Sequence, residues 1–427
     1  MNKKLFTLMA LGASVILAPT TKAAPAKEVN LRMSWWGGED RHKKTIEAIK
    51  AFEQQNPNIK VKSEYGGWQG HQDKVTTQIV GNTAPDTLQI NWNWINLFSK
   101  KGDGFYDLNK VKDVIDLSNY DQSILDQTIV NGKLNALPVG LSGKAFYFNK
   151  TTYEKAGLEI PKSFEEMRAA AKVFKEKLGP EYYPFDTDSY GAFLFMIYKL
   201  EQETGKPFIV NDEVAYTKEQ FEDAAKFYTG LVKDGVMPSL SVRAAAGNVP
   251  LDQHPSWIQG RYAGTYEWDS AAKKWQDSLE QGQELVLGDF MKDFGPYPSA
   301  FFKVSMAYAI NKNVKNPKET AQLLNFIVSD ATATEILGES RGVPANKKAL
   351  KVLEEKGMAT GLVFEANKKV VDFAGKGIHP LFEHPKLQKS LRDLVEQLGY
   401  NQINEAQFAE KIIAETNEFL AKEMKKK

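Results

Sequence analysis

Five histidines, His42, His71, His254, His379 and His384, and no cysteine leave a chain of 427 residues little with which to do covalent or metal chemistry. Composition excludes disulfides, thiolate zinc sites, iron–sulfur clusters and a cysteine nucleophile. His379 and His384 stand five apart across Pro380, whereas helical ligand pairs need a spacing of three or four, so both read as solvated loop histidines. The strongest enzymatic pattern is Gly338-Glu339-Ser340-Arg341-Gly342, which has the spacing of a nucleophile elbow. An elbow needs a strand before its serine and a helix straight after it. Here a helical pattern precedes and Val343-Pro344 follows, which describes a helix C-terminal loop with glycines at positive φ. Gly143-Lys144 fails as a phosphate loop, because Pro138 replaces the first glycine and Ala145 the hydroxyl. Acidic pairs such as Glu39 with Asp40, or Glu267 with Asp269, would suit a glycosidase, but 54 acidic residues supply such pairs by chance. No catalytic residue, metal or cofactor is assigned.

The tryptophans are the unusual feature. Trp35-Trp36, Trp68, Asn91-Trp92-Asn93-Trp94 and Trp268, within Tyr266-Glu267-Trp268-Asp269, sit at the ends of expected strands. A sugar ring offers a face of C–H groups that packs on an indole, while its hydroxyls need Asn, acids, Arg or Lys around the edge. Indoles interleaved with Asn and acids provide that mixture. A single such ring could equally be core, and Trp257 and Trp275, at helical positions, are expected to be core.

Elements must carry these loops. Val29, Leu31, Met33 and Trp35 alternate as a strand, Ile46, Ile49 and Phe52 recur at helical spacing until Asn56-Pro57, and Ile59, Val61 and Tyr65 alternate again. Val75 and Ile79 mark a second helix ending near Gly81-Asn82, and Thr87 to Trp92 a third strand. The order βαβαβ predicts a parallel sheet whose ligands bind beyond the carboxyl ends of its strands. Beyond Phe148 the chain is mostly helical, with starts signalled at Ser163 with Glu166, Thr217 with Gln220, Asn316-Pro317 and about Asn404.

The 55 basic and 54 acidic residues nearly cancel, so no strong field favours nucleic acid or an anionic membrane. Lys3-Lys4, the apolar run Leu5 to Ala18 and the small residues after it read as a secretory signal peptide over 1–23, cleaved after Ala23 or Ala26. The run is too short to span a bilayer. Without a cysteine at the cleavage point there is no lipid anchor, so a monomer free in the periplasm, with no membrane insertion, is expected.

The order of Ser34-Trp35-Trp36-Gly37-Gly38, Pro85-Asp86-Thr87, Gly132 to Pro138, Phe146 to Lys150, Trp257 to Gly264, Ala309 to Lys312 and Arg341-Gly342-Val343-Pro344 resembles family 1 extracellular solute-binding proteins, which include maltose-binding protein. The resemblance covers nearly the whole chain after the leader. It implies an α/β protein of two lobes, each a mixed sheet flanked by helices, hinged around a central cleft. The lobes would be 27–141 plus 308–342 and 142–307 plus 343–427, with crossings near Val139 to Lys144, Lys303 to Tyr308 and Arg341 to Ala345. It further implies a non-enzymatic carrier that delivers an oligosaccharide to an ABC transporter permease. Arg32 to Gly38, Asn91 to Trp94, Gly104 to Asn109 and Glu339 to Pro344 are more closely similar to binding proteins for oligogalacturonides, the uronic acid fragments of pectin. Lys144 stands where those proteins carry Arg, and Arg243-Ala244-Ala245-Ala246 has no match. An acidic sugar needs cations, since a buried unpaired carboxylate costs several kcal/mol. The candidates at hinge and rim are Lys144, Arg341, Arg243 and Arg41, with His42 or His71 as neutral donors. A neutral maltose- or xylose-type oligosaccharide and, in another class, a secreted glycoside hydrolase or lyase stay open.

Overall fold

The computed structural model describes residues 27–245, 247, 249–375, 378–379 and 381–425; the expected leader lies outside them. Its first strands and helices follow the switching hydrophobic period. β1 (Val29–Trp36), α1 (Glu39–Gln55), β2 (Ile59–Gly66), α2 (His71–Val80) and β3 (Thr87–Asn91) form the βαβαβ unit, with β2 and β3 both parallel to β1. Trp36 pairs with Gly66 at the end of this register, so the loops carrying Trp68 and Asn91 to Trp94 leave the same sheet edge.

The remaining strands bind the two halves of the molecule together. β4 (Leu137–Asn149) is thirteen residues long, followed by β5 (Gly264–Trp268), β6 (Leu285–Leu287), β7 (Phe302–Ile310) and β8 (Val343–Pro344). The sheet runs β6-β4-β7-β3-β1-β2, with β5 and β8 also on β4. The first half of β4 lies antiparallel to β7, Leu137 opposite Tyr308 and Gly143 opposite Phe302. Its second half pairs with β5, Lys144 opposite Trp268, and with β6. One strand therefore enters two cores. Met33, Trp35, Ile90, Leu137, Val304 and Leu324 belong to the first; Phe146, Phe148, Phe195, Tyr198, Tyr266 and Leu394 belong to the second. Val304, Ala307 and Ala345 pack in the first core although the expected boundaries give them to the second lobe. The β4–β7 pairing carries Val304 and Ala307 there, and the Ala345 amide donates to the Val139 carbonyl at 3.0 Å.

Helix starts follow the capping signals to different degrees. Thr217 with Gln220 and Asn404 with Gln407 form reciprocal capping boxes. The Ser163 hydroxyl accepts from the Glu166 amide at 3.0 Å, but the Glu166 carboxylate reaches past it to the Lys162 amide at 2.6 Å. Asn316 precedes the helix Pro317–Ser329 without a side-chain cap. Among the described residues no helix is long and apolar enough to cross a membrane.

Candidate functional site

The loops at the end of the first lobe's sheet gather part of the expected aromatic set. Trp36 lies 5.2 Å from Trp68, 5.3 Å from Trp94 and 5.4 Å from His71, and Trp68 stacks on Trp94 at 5.8 Å with 15° between planes. Trp36 and Trp94 are buried, whereas Trp68 is 51% exposed and so presents an indole face to solvent. His71 opens α2 beneath them; burial lowers its pKa to about 4, with Lys74 adding to the effect, and its Nε2 is buried without a hydrogen-bond partner. The imidazole is therefore neutral at pH 7. The Asn91 and Asn93 side-chain oxygens are likewise buried and unpartnered.

Two expected platforms are corrected. Trp35, 0% exposed, stacks on Tyr65 and gives its indole N–H to His42 Nδ1 at 3.1 Å. Trp92, 1% exposed, donates to the Gln127 carbonyl at 2.6 Å. Both are core. Successive strand residues point to opposite faces, so Trp35 and Trp36 cannot both face one groove. Trp257 and Trp275 pack edge-to-face at 6.3 Å within the second core, as their helical positions suggest.

The second lobe supplies one half-buried indole among cations. Lys144, 2% exposed, donates to the Tyr266 carbonyl at 3.1 Å and to Glu267 at 3.2 Å. Its ammonium lies 5.4 Å from the Trp268 ring centre, and that of Lys303 lies 4.8 Å from the same ring. An indole face between two ammonium groups is electrostatically favourable. Lys303 pairs with Glu383, whose carbonyl accepts from Asn93 Nδ2 at 3.4 Å. This contact joins the first lobe's aromatic loop to the second lobe's cationic indole. Glu267 and Arg243 line an adjoining cavity of about 410 Å³ with Asp188, Ser189 and Arg392. Arg243 pairs with the buried Asp186, whose carboxyl burial pushes up to about 6 against the pull of the guanidinium. Burial also works upward on Asp188, but Lys144 and Arg392 outweigh it and hold its pKa low.

Arg341 lies apart from these groups, in the first lobe. It donates to Gln89 at 3.0 Å and Thr45 at 2.8 Å, with Nη1 buried and unpartnered. Neighbouring Ser340 follows the helix Ala331–Leu337 through Gly338 at φ +48, and Val343–Pro344 comes next as a strand, so no elbow geometry surrounds it. Sequence reading missed Asp186, Asp188, Lys303, Glu383 and Arg392. Lys303 falls in an expected crossing, but no local pattern marks Glu383 as its partner 80 residues away.

The model for bacterial extracellular solute-binding proteins matches residues 47–360. The chain belongs to that family. A periplasmic oligogalacturonide binding protein from Yersinia enterocolitica in complex with saturated digalacturonic acid is 39% identical and superposes with a TM-score of 0.78, over 93% of this chain and 100% of that one. A second structure of such a protein from Y. enterocolitica, 38% identical over the same shares, gives 0.86. A de novo designed cysteine esterase, also 38% identical, covers 93% of this chain and 99% of its own with a TM-score of 0.87. This chain superposes more closely on the second of the two Yersinia structures.

Proposed function

We propose that this protein is the periplasmic substrate-binding component of an ABC importer, capturing a short, uronate-containing oligosaccharide and passing it unaltered to a membrane permease. One observation carries the reading. An exposed indole in the first lobe, Trp68 on Trp94, is linked through Asn93 and Glu383 to a second indole, Trp268, flanked by Lys144 and Lys303. Two aromatic faces with polar edges suit two sugar rings in series. The oligogalacturonide binding proteins at 38–39% identity support the same ligand class. Closure is a population shift: a ligand that touches both lobes only when they close binds that state better. The lobes, proposed as 27–141 plus 308–342 and 142–307 plus 343–427, need no catalytic residue or cofactor for this work, and a leader cleaved after Ala23 or Ala26 would leave a soluble monomer.

One observation favours a neutral oligosaccharide instead. Each second-lobe cation near the groove already has a carboxylate: Lys144 with Glu267, Lys303 with Glu383, Arg243 with Asp186 and Arg392 with Asp188. Titration calorimetry with digalacturonic acid, α-1,4-galactobiose and maltose separates the readings. The acidic reading expects digalacturonic acid to bind at least tenfold more tightly than either neutral disaccharide, and the reverse order overturns it. Release of monosaccharide over hours would overturn the non-catalytic role.

A further inference from the structure

We propose that the ligand's carboxylate is read in the first lobe by Arg41, backed by Arg341, rather than by the lysines of the second lobe. The proposal rests on the acidic-sugar reading above and assigns that reading its charge-recognising group. Arg41 lies in the first turn of α1, just after the Trp36-Gly37-Gly38 loop. Its Nε donates to the Ser340 carbonyl at 2.7 Å and its Nη1 to the Trp36 carbonyl at 3.1 Å, with Met306 Sδ at 3.8 Å. Two backbone carbonyls thus fix the plane of the guanidinium and leave Nη2 unspent among the described residues. Gly37 makes the placement possible, because a Cβ there would come within 2.5 Å of Arg41 Cδ.

Arg341 stands behind it with neutral partners only, Gln89, Thr45 and the Tyr308 ring at 5.8 Å, and with Nη1 buried and unpartnered. The hydroxyls of Tyr308 and Ser340 are also buried without partners. Burial lowers the pKa of Arg41 to about 10, and the charge of Arg341 contributes in the same direction. The carboxylates closest in sequence, Glu39 and Asp40, face solvent beside Lys43 and Lys44 at 3.6 and 3.1 Å. Among the described residues this is therefore a pair of sequestered guanidinium groups with no counter-ion, at the same sheet end as the Trp36 cluster. A buried charge lacking its partner is unfavourable, so an arriving carboxylate gains both a charge-assisted hydrogen bond and relief of that repulsion. A neutral hydroxyl gains neither. The second-lobe lysines offer less, since a ligand must first displace Glu267 or Glu383.

Calorimetry on the mature protein tests this, with digalacturonic acid and α-1,4-galactobiose as probes for the wild type, Arg41→Gln, Arg41→Lys and Lys303→Met. Loss of one charge-assisted hydrogen bond predicts digalacturonic acid binding about 10 to 100-fold weaker in Arg41→Gln, with galactobiose changed less than about threefold. Arg41→Lys, which keeps the charge but not the fork, falls between, and it supplies the answer if Arg41→Gln does not fold. Lys303→Met, which alters the proposed groove itself, weakens both disaccharides together, and a loss of the acidic preference in it overturns the proposal. An Arg41→Gln protein that is folded by circular dichroism and retains the wild-type ratio of affinities overturns this proposal alone. A wild type that does not bind digalacturonic acid overturns the acidic-sugar reading and this proposal with it.

Discussion

At the scale of single residues, the same side chain serves two ends according to where its ring sits relative to the sheet. Trp68 is half exposed and lies over the buried rings of Trp36 and Trp94, whereas Trp92 is enclosed and hydrogen-bonded. Trp68→Ala is expected to weaken disaccharide binding about 2 to 10-fold, the worth of one aromatic contact, and to lower the unfolding free energy by about 0.5–1.5 kcal/mol as Trp36 and Trp94 are uncovered. Trp92→Ala is expected to cost about 3–5 kcal/mol of unfolding free energy, the usual penalty for emptying a large aromatic site. Equal effects of the two substitutions on binding and on stability would refute the division. From sequence the indoles were legible as a group at strand ends, and Trp36, Trp68 and Trp94 do meet there. The sorting of Trp35 and Trp92 into core was not, because the end of a strand does not specify on which side the neighbouring layer closes over a ring. Charge partners were still less legible. Lys144 reads in the sequence as a candidate cation for an acidic sugar, and Glu267 across the β4–β5 ladder pairs with it.

At the scale of elements, the glycines in β4 answer to crowding rather than to torsion. Neither Gly140 nor Gly143 has positive φ. A Cβ on Gly140 would come within 2.5 Å of the Arg341 carbonyl, and one on Gly143 within 2.1 Å of Val370 Cγ1 and 2.6 Å of the Phe301 carbonyl. Gly143→Ala is therefore expected to destabilise the protein by about 1–3 kcal/mol through overpacking, read from urea unfolding; a neutral or stabilising result would show that Val370 and the Phe301 backbone can yield. β7 makes the matching adjustment. Its register shifts around Ser305, a bulge whose hydroxyl bonds the Gly140 carbonyl at 3.0 Å and whose own carbonyl accepts from the Trp92 amide at 3.3 Å. The βαβαβ opening could be read from periodicity because each of its elements is local and amphipathic. β4 could not be measured that way: buried through nearly its whole length, it shows no alternation to mark where it leaves one core for the next.

At the scale of the whole molecule, polar contacts join the two lobes besides the shared strands. Asn93 meets the Glu383 carbonyl, and Lys100 pairs with Glu423 at 3.1 Å beside a cavity of about 180 Å³. A single hydrogen bond such as that from Asn93 contributes about 0.5–1.5 kcal/mol, little to set against a ligand that bridges the lobes. Small-angle scattering is expected to give a smaller radius of gyration with saturating digalacturonic acid than without ligand. An unchanged value would mean that binding does not close the lobes. Where the two lobes divide was legible in the sequence only through family resemblance, since no Gly- or Ser-rich linker marks the division.

The bond between Ser305 and Gly140 joins residues 165 positions apart. The first hydrophobic interior cannot finish its sheet until β7 has been made, after β5 and β6 of the second, and pairing between distant segments is slow. A nascent molecule of this topology spends longer unstructured than one built from two beads on a string. Severing it into consecutive halves should leave each without the neighbour its central strand requires.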